Sequence, residues 1–375
     1  ITNRVLARSP DFLRRLGDTR RLKQLTVDIL NQAAREPDPN NQIELLGDSF
    51  DVAFLRASLL AILEGAPSAR DLEFTGAVDR YVRELFKACF REVRQRSPMF
   101  ELYRPGFGIA VFATGGYGRG EAFGGDFDYI ALVNHDDPGL KKFFGKVLQR
   151  MAMAMSRRGL HPHNRYTDVF NAWAVTVPEL EAHISTRTSE TFIDEAEVTE
   201  ARFFLGDQSL ARTFTEQVQG RVLGPNRRGF IEDLIREIRE RRPYVPKVLS
   251  LKEGRGGLRE LNLLFLALRA FGRLTKPFGV DQVRHLEPSL PGAKEDLEYL
   301  LSAHHEVRRL RELYRLSVAF DDAMEPEALV VVSHDVAPLR RSGVRPALRE
   351  RIQALMDEVA HAVDRVSSAI FRALD

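Results

Sequence analysis

Apolar residues recur at three- and four-residue steps near both ends of the chain, which is the pattern of helices that pack along one face. Within residues 10–97, one such face consists of Val82, Leu85, Phe86, Cys89, Phe90 and Val93. Similar stripes run through residues 296–316 and 350–373. A segment rich in Pro and Asn at 36–42 predicts a loop between the first helices. The sequence therefore predicts helical regions at both ends.

The hydrophobic period changes in the middle of the chain, where three short apolar runs are bounded by Gly, Asp or Pro. These runs are FGIAVFA (107–113), FDYIALV (127–133) and VFNAWAVTV (169–177). Their length and boundaries are typical of buried strands. An amphipathic run at 139–157 predicts a helix between the second strand and the third. The middle of the chain is therefore expected to form a small sheet with helices.

Two breaks in these patterns divide the chain into three parts. Residues RSPMFELYRPGFG (96–108) end the first helical pattern, and LGPNRRG (223–229) precedes the second. We predict an α+β fold in which a small mixed-sheet domain is flanked by helical domains. The predicted parts are an N-terminal helical region at 1–98, the sheet domain at 99–222 and a C-terminal helical bundle at 223–375.

The stretch ATGGYGRGEAFGGDFDYIALV (113–133) carries the clearest chemical pattern. Glycines let the backbone approach a ligand closely, and N–H groups at a helix start favour phosphate, so Gly115 and Gly116 predict a phosphate-binding turn. Asp126 and Asp128 are two residues apart on a predicted strand and therefore share a face. Oxygen ligands of this kind suit Mg²⁺, which also takes ligands from substrate phosphates. Either feature alone is also typical of an ordinary turn or loop.

Taken together, the glycine pair and the aspartate pair resemble a known family. Gly-Gly, nine residues, and Asp-Phe-Asp before an apolar strand form the pattern of the DNA polymerase β nucleotidyltransferase superfamily. The wording GGYGRGE resembles the nucleotidyltransferase domain of the bacterial PII uridylyltransferases, with kinship to the glutamine synthetase adenylyltransferases. Residues 191–210 and LKEGRGGLREL (251–261) resemble later segments of these enzymes. The resemblance spans residues 100–275 and implies a polymerase-β-type domain at 99–222.

The resemblance implies a set of site residues. It implies two Mg²⁺ ions, or Mn²⁺ in their place, held by Asp126, Asp128 and a third carboxylate, for which we favour Asp168 at the start of the third predicted strand. Asp194 and Glu195 are alternatives that we interpret as surface charge on a helix. The residues expected to bind the nucleotide are Gly115, Gly116, Arg119, Gly125, Lys252 and Arg255. Lys252 and Arg255 lie on a glycine turn before a helix that begins near Leu258.

The chain also departs from the family. The family has a serine where this chain has Gly125, which removes one hydroxyl contact to phosphate. No phosphohydrolase domain is evident, because His334 and Asp335 fall in a predicted connector at 323–347. His161 and His163 are expected in a loop near the mouth of the site.

The resemblance implies transfer of a nucleoside monophosphate from an NTP to a protein hydroxyl, or its phosphorolytic removal. The helical domains would then dock the acceptor protein. The alternative is an NTP-sensing regulatory module that has lost catalysis. A third option, nucleotide addition to RNA, would need a basic groove and stacking aromatic residues. The chain begins at Ile1, and we expect further domains of the same protein outside this sequence.

Composition narrows the class of protein further. The formal net charge is only +2 although 29% of the residues are charged, which does not favour nucleic acid as a partner. Cys89 is the one cysteine, so a disulfide framework and a cysteine metal site are both excluded. No apolar run approaches the roughly 18 residues that a membrane helix needs. We therefore expect a cytoplasmic protein with no membrane partner.

Overall fold

The computed structural model describes residues 19–96, 108–186, 188, 191–241, 248–274, 279–318, 322–326 and 346–374. These residues divide into two compact units. The first unit takes the described parts of Ile1–Ala61, Ala69–His183 and Glu200–Val218. The second takes those of Ile62–Ser68, Ile184–Thr199 and Gln219–Asp375. The N-terminal helices and the sheet thus belong to one unit, and the three-part division remains a prediction.

In the described part of the chain, three helices precede the sheet: α1 (Thr19–Arg35), α2 (Pro39–Glu64) and α3 (Pro67–Arg96). The side chain of Asp38 accepts hydrogen bonds from the N–H groups of Asn40 and Asn41, at 3.3 and 3.4 Å, and so starts α2. The loop predicted at 36–42 is therefore shorter than expected. Proline is well tolerated in a first helical turn, where its missing N–H would have no partner.

The sheet of the first unit has five strands: β1 (Ile109–Ala113), β2 (Asp126–Val133), β3 (His161–Asn164), β4 (Val175–Thr176) and β5 (Arg202–Gly206). The strand order is β3-β2-β1-β5, and β4 also pairs with β2. Strand β1 runs antiparallel to β2 and β5, whereas β2 runs parallel to β3 and β4. The first two predicted strands are confirmed, and the fold is α+β with a small mixed sheet.

The middle helices follow in chain order: α4 (Gly115–Gly118), α5 (Pro138–Ser156), α6 (Arg165–Val169), α7 (Val177–Ser185), α8 (Phe192–Glu200) and α9 (Gln208–Phe214). Helix α5 confirms the helix predicted at 139–157. Its start is set by Asp137, whose carboxylate accepts a hydrogen bond from the N–H of Leu140 at 2.8 Å.

The third predicted strand is wrong over most of its length, because only Val175 and Thr176 of that run form a strand. The side chain of Asn164 accepts a hydrogen bond from the N–H of Tyr166 at 3.0 Å. The hydroxyl of Thr167 donates to the Asn164 carbonyl at 2.8 Å. These bonds start helix α6, which takes up Val169. Residues 170–173 form bends, with Asn171 at φ +49°, so the chain returns to extended strand backbone only at Val175.

The second unit is helical: α10 (Gly220–Leu223), α11 (Arg227–Arg241), α12 (Leu258–Phe271), α13 (Val280–Leu286), α14 (Lys294–Ser317) and α15 (Pro346–Leu374). Helices α14 and α15 confirm the two stripes predicted in the C-terminal part. A buried cluster holds them to the turn before α12; its members include Leu251, Leu258, Val307, Leu310, Ile352 and Met356.

Two expectations from composition can be compared with the structure. Cys89 is buried on α3, and burial raises the pKa of its thiol to about 12, so the thiol stays protonated. Among the helices in the described part of the chain, none combines the length and the apolar character needed to cross a membrane.

Candidate functional site

The aspartate pair opens strand β2 in the first unit. Asp126 is exposed and Asp128 half-buried, while Phe127 and Tyr129 between and after them are buried, as the two-residue period of a strand requires. Burial raises the pKa of Asp128 above its ordinary value, and the negative charge of Asp126 adds to the rise against the lowering by His163. Asp128 therefore occupies an environment that a nearby cation would make more favourable.

The glycine turn lies directly against this carboxylate. The N–H of Thr114 donates to the carbonyl of Asp128 at 2.9 Å, and the chain then enters the short helix α4. Gly115 has φ +53°, and a Cβ placed on it would lie 2.7 Å from Oδ2 of Asp128. No larger residue fits there without moving the Asp128 side chain. The structure thus brings Gly115, Gly116 and the aspartate pair together at one end of the sheet.

Replacing Gly115 by Ala is expected to displace the Asp128 carboxylate and to weaken binding of a Mg²⁺–NTP complex. The positive φ adds a strain of about 1–2 kcal/mol to the unfolding free energy. Gly159→Ala is the matched control, because Gly159 has φ +79° with no atom within 4 Å. Denaturant unfolding should show a loss of stability in both variants, and calorimetric titration a loss of Mg²⁺–NTP affinity in Gly115→Ala alone. Equal affinities in the two variants would contradict the prediction.

We predicted that Asp168 opens the third strand, and this is wrong. Asp168 lies on helix α6, and its side chain is exposed. It is linked to Asp128 through His163: Nε2 of His163 lies 2.8 Å from Oδ2 of Asp168, and Nδ1 lies 3.5 Å from Oδ1 of Asp128. The hydrogen bond from His163 holds the pKa of Asp168 below its ordinary value. Across the described residues, no three His, Cys, Asp or Glu side chains are arranged to hold a metal ion. The imidazole of His163 therefore links Asp168 to the aspartate pair, and the three carboxylates do not converge on one metal position.

His163 lies closer to the aspartate pair than the sequence suggested. Our expectation of a loop at His161 and His163 is wrong, because both lie on strand β3 beside β2. In the parallel register, His161 is opposite Asp126 and His163 is opposite Asp128. The segment HPHN has three polar residues in four and gave no signal for a strand; its pairing with β2 decides the structure.

Arg119, predicted to bind the triphosphate, lies between two carboxylates. Its Nη1 is 2.6 Å from Oε1 of Glu200, and its Nε is 3.1 Å from Oε1 of Glu121. Burial alone would lower the pKa of Arg119, but the two carboxylates raise it, so the guanidinium stays charged. Binding a phosphate through Arg119 would require it to exchange these partners, and that role remains a prediction.

Gly125 ends the turn that leads into β2. It has φ +72° and follows a single 3₁₀ turn at Ala122–Gly124. Its carbonyl accepts a hydrogen bond from the N–H of His161 at 2.9 Å, which ties the turn to β3. The position thus contributes backbone geometry to the site, and it has no hydroxyl to offer to a phosphate.

Lys252 and Arg255 lie in the second unit, on the turn before α12. That helix begins at Leu258, as predicted. Nζ of Lys252 is 3.5 Å from Oδ2 of Asp322, and Arg255 is exposed. Gly256 has φ +71°, and a Cβ on it would lie 1.8 Å from the carbonyl oxygen of Met356 on α15. Close packing therefore accounts for a glycine here, and the binding role of both cations remains a prediction.

The alternative third carboxylates, Asp194 and Glu195, are not surface charge. Both are buried on helix α8 of the second unit, with Glu195 fully inaccessible. Oε1 of Glu195 accepts a hydrogen bond from Nδ2 of Asn226 at 2.7 Å, and Asn226 also donates to the carbonyl of Ile184 at 3.0 Å. Our interpretation of these two residues was therefore wrong, and Glu195 belongs to a buried polar network.

Two carboxylates near the glycine turn were missed by the sequence reasoning. Asp71 and Asp79 lie on α3, and both are buried. The N–H of Phe123 donates to Asp71 at 2.8 Å, and the hydroxyl of Tyr117 donates to Asp79 at 2.6 Å. Their spacing in the sequence could have indicated burial, because Asp71 and Asp79 fall with Phe74 on the buried stripe of α3. A carboxylate in such a stripe needs a buried partner.

The histidine pattern of the C-terminal part gives no second site among the described residues. His304 lies on α14, with Nε2 3.2 Å from Oδ1 of Asn262 on α12. His334 and Asp335 lie outside the described residues.

No protein-family model matches the chain, and no curated protein matches it significantly. Proposals about function therefore depend on the site residues and on the resemblance of their pattern.

Proposed function

We propose that this protein is a Mg²⁺-dependent nucleotidyltransferase that moves a nucleoside monophosphate from an NTP to a hydroxyl of a regulatory protein, or removes it by phosphorolysis. The observation that carries the proposal is the position of Gly115, which lies so near Asp128 that an added Cβ would be 2.7 Å from its Oδ2, with Asp126 on the same face of β2. The proposed phosphate-binding turn and the proposed metal ligands are therefore adjacent in space. The resemblance of this pattern to the polymerase β superfamily supports the same chemistry.

The donor chemistry of the aspartate pair fits Mg²⁺, which takes one or two protein carboxylates and fills its shell with phosphate and water. Asp126 and Asp128 would hold the ions, and Mn²⁺ suits the same ligands. The bound metal would lower the pKa of the attacking hydroxyl and neutralise charge on the leaving pyrophosphate. In this proposal, Asp168 supports the site through His163, since its carboxylate faces the imidazole.

The chain's own groups would orient the nucleotide. The glycine turn at Gly115 and Gly116 would present backbone N–H groups to the phosphates. Asp128 is half-buried, so that side of the site is partly shielded from water. Arg119 and Gly125 would add nucleotide contacts within the first unit. Lys252 and Arg255, in the second unit, are proposed to bind nucleotide on the resemblance alone. We further propose a protein acceptor that docks on the helical regions, because the formal net charge of +2 gives little field to hold nucleic acid. A single cysteine fits the proposed cytoplasmic setting.

A second candidate is an NTP-sensing regulatory module without turnover. Two observations favour it: Arg119 is engaged by Glu121 and Glu200, and Asp168 reaches the pair only through His163. A site with a weakened third ligand can still bind a Mg²⁺–NTP complex, because the phosphates themselves supply metal ligands.

Incubation with Mg²⁺ and each α-labelled NTP separates the two candidates. The protein is tested alone and with PII-like proteins or glutamine synthetase from the same source. We expect label on a protein acceptor, lost on adding EDTA and in Asp126→Asn, because the metal pair is then incomplete. NTP binding without transfer would support the sensor instead. Absence of both binding and transfer would refute the two candidates together.

A further inference from the structure

Helix α3 holds the glycine turn at both of its ends. Near the start of the turn, the hydroxyl of Tyr117 donates to Oδ1 of Asp79 at 2.6 Å. At the end, the N–H of Phe123 donates to Oδ1 of Asp71 at 2.8 Å. The ring of Phe123 also stacks on Phe74 of α3, with centroids 5.3 Å apart and the planes inclined by 17°. The three contacts come from one face of one helix.

The Asp79 contact belongs to a charged network that reaches strand β5. Arg202 donates from Nη1 to Oδ2 of Asp79 at 2.7 Å and from Nη2 to Oδ1 at 3.1 Å, a bidentate pair. Its guanidinium also lies 5.4 Å from the centre of the Tyr117 ring. Burial and the neighbouring Asp79 raise the pKa of the Tyr117 phenol, so the phenol stays neutral and donates. Asp79 therefore joins α3, the turn and β5.

These contacts have no other evident use in the proposed chemistry. Asp71 and Asp79 are buried, so neither is expected to reach a nucleotide. Tyr117 is two residues after Gly115, and Phe123 is three residues before Asp126. Whatever fixes these two aromatic residues fixes the backbone between the phosphate-binding glycines and the aspartate pair. Small displacements of such groups reduce binding and rate strongly, because both depend on geometry.

We propose that Asp71 and Asp79 are positioning residues, through which helix α3 sets the conformation of the glycine turn for the phosphates of an NTP. The proposal rests on the proposed function, which assigns that turn to phosphate. It goes beyond it by making α3, outside the sheet, the element that determines nucleotide affinity.

The test compares Asp79→Asn and Tyr117→Phe, singly and together, in the full chain. Tyr117→Phe removes the hydroxyl that donates to Asp79, and Asp79→Asn removes the charge that strengthens this bond and the pair with Arg202, each with little change of volume. We expect each single variant to raise the dissociation constant of Mg²⁺–ATP or Mg²⁺–UTP about tenfold, the scale of one charge-assisted hydrogen bond. In the double variant, the loss of binding free energy should be smaller than the sum of the two single losses, because both changes act on the contact between Tyr117 and Asp79.

Glu92→Gln is the matched control. Glu92 is also buried on α3, but it pairs with Arg150 at 2.6 Å and with Arg96 at 3.1 Å, which both lie outside the turn. We expect this variant to lose unfolding free energy in denaturant while its NTP affinity stays at the wild-type value. An equal loss of affinity in Glu92→Gln, or none in a folded Asp79→Asn, would overturn the proposal.

Amide hydrogen exchange separates this proposal from the proposed function. Without nucleotide, Asp79→Asn should accelerate exchange in residues 114–125, and Glu92→Gln should not. If the wild type binds no NTP, the proposed function fails. The exchange experiment then decides whether α3 controls the turn: faster exchange in Asp79→Asn keeps that part of the proposal, and unchanged exchange ends it.

Discussion

Replacing Asp128 by Asn should abolish Mg²⁺-dependent nucleotidyl transfer without lowering the stability of the fold. The substitution keeps the shape of the side chain and removes the charge that the metal requires. We expect a loss of about a thousandfold or more in turnover, the scale of several kcal/mol of transition-state stabilisation. The measurement is initial rate of label transfer beside denaturant unfolding.

The stability of Asp128→Asn should equal or exceed that of the wild type, because of the raised pKa of Asp128. Because folding raises the pKa of Asp128, its ionised form costs folding free energy at neutral pH, and this cost disappears as the pH falls through the raised value. Asn removes the cost. Asp136→Asn is the control, since Asp136 is exposed and pairs with Lys141 at 2.7 Å. Transfer that survives in Asp128→Asn at the rate of this control would disprove the metal pair.

Replacing Gly256 by Ala should destabilise the second unit severely. The new Cβ would lie 1.8 Å from the Met356 carbonyl oxygen, and the residue would keep φ +71°. Strain at a positive φ and displacement of a packed backbone together should cost about 3 kcal/mol or more. Denaturant unfolding followed by circular dichroism measures the change, and failure of the unit to fold is the extreme of the same result.

Gly292→Ala isolates the backbone term. Gly292 has φ +80° in the same unit, with no atom within 4 Å of the added Cβ, so only strain of about 1–2 kcal/mol is expected. If Gly256→Ala were no less stable than Gly292→Ala, the close approach to α15 would not explain the requirement for glycine at this position. A loss of NTP affinity with normal stability would instead favour a role of the turn in binding phosphate.

Several features could be predicted because they depend on neighbours in the chain. The cores of β1 and β2 follow from short apolar runs, and the shared face of Asp126 and Asp128 from the two-residue period of a strand. Helices α14 and α15 follow from stripes at helical spacing. The glycine turn before β2 belongs to the same class, since its signal lies within a few residues.

The failures came where a local capping bond or a distant partner decides. The apolar run after Asp168 suggested a strand, but Val169 ends helix α6 and bends follow, with Asn171 at φ +49°. The charges of Asp194 and Glu195 suggested a surface, but Glu195 is buried against Asn226, far along the chain. No period in the sequence records a single hydrogen bond between residues that are distant in the chain.

The sequence by itself determined the α+β class, the strands on either side of the glycine turn and the pairing of Asp126 with Asp128, since each depends on local period and spacing. Only the tertiary structure decided that Asp168 reaches the pair through His163 and that Arg119 is engaged by Glu121 and Glu200. It also decided that α3 holds the turn. The physical reason is that buried polar groups must find partners, and those partners are chosen by the packing of elements that are separate in sequence.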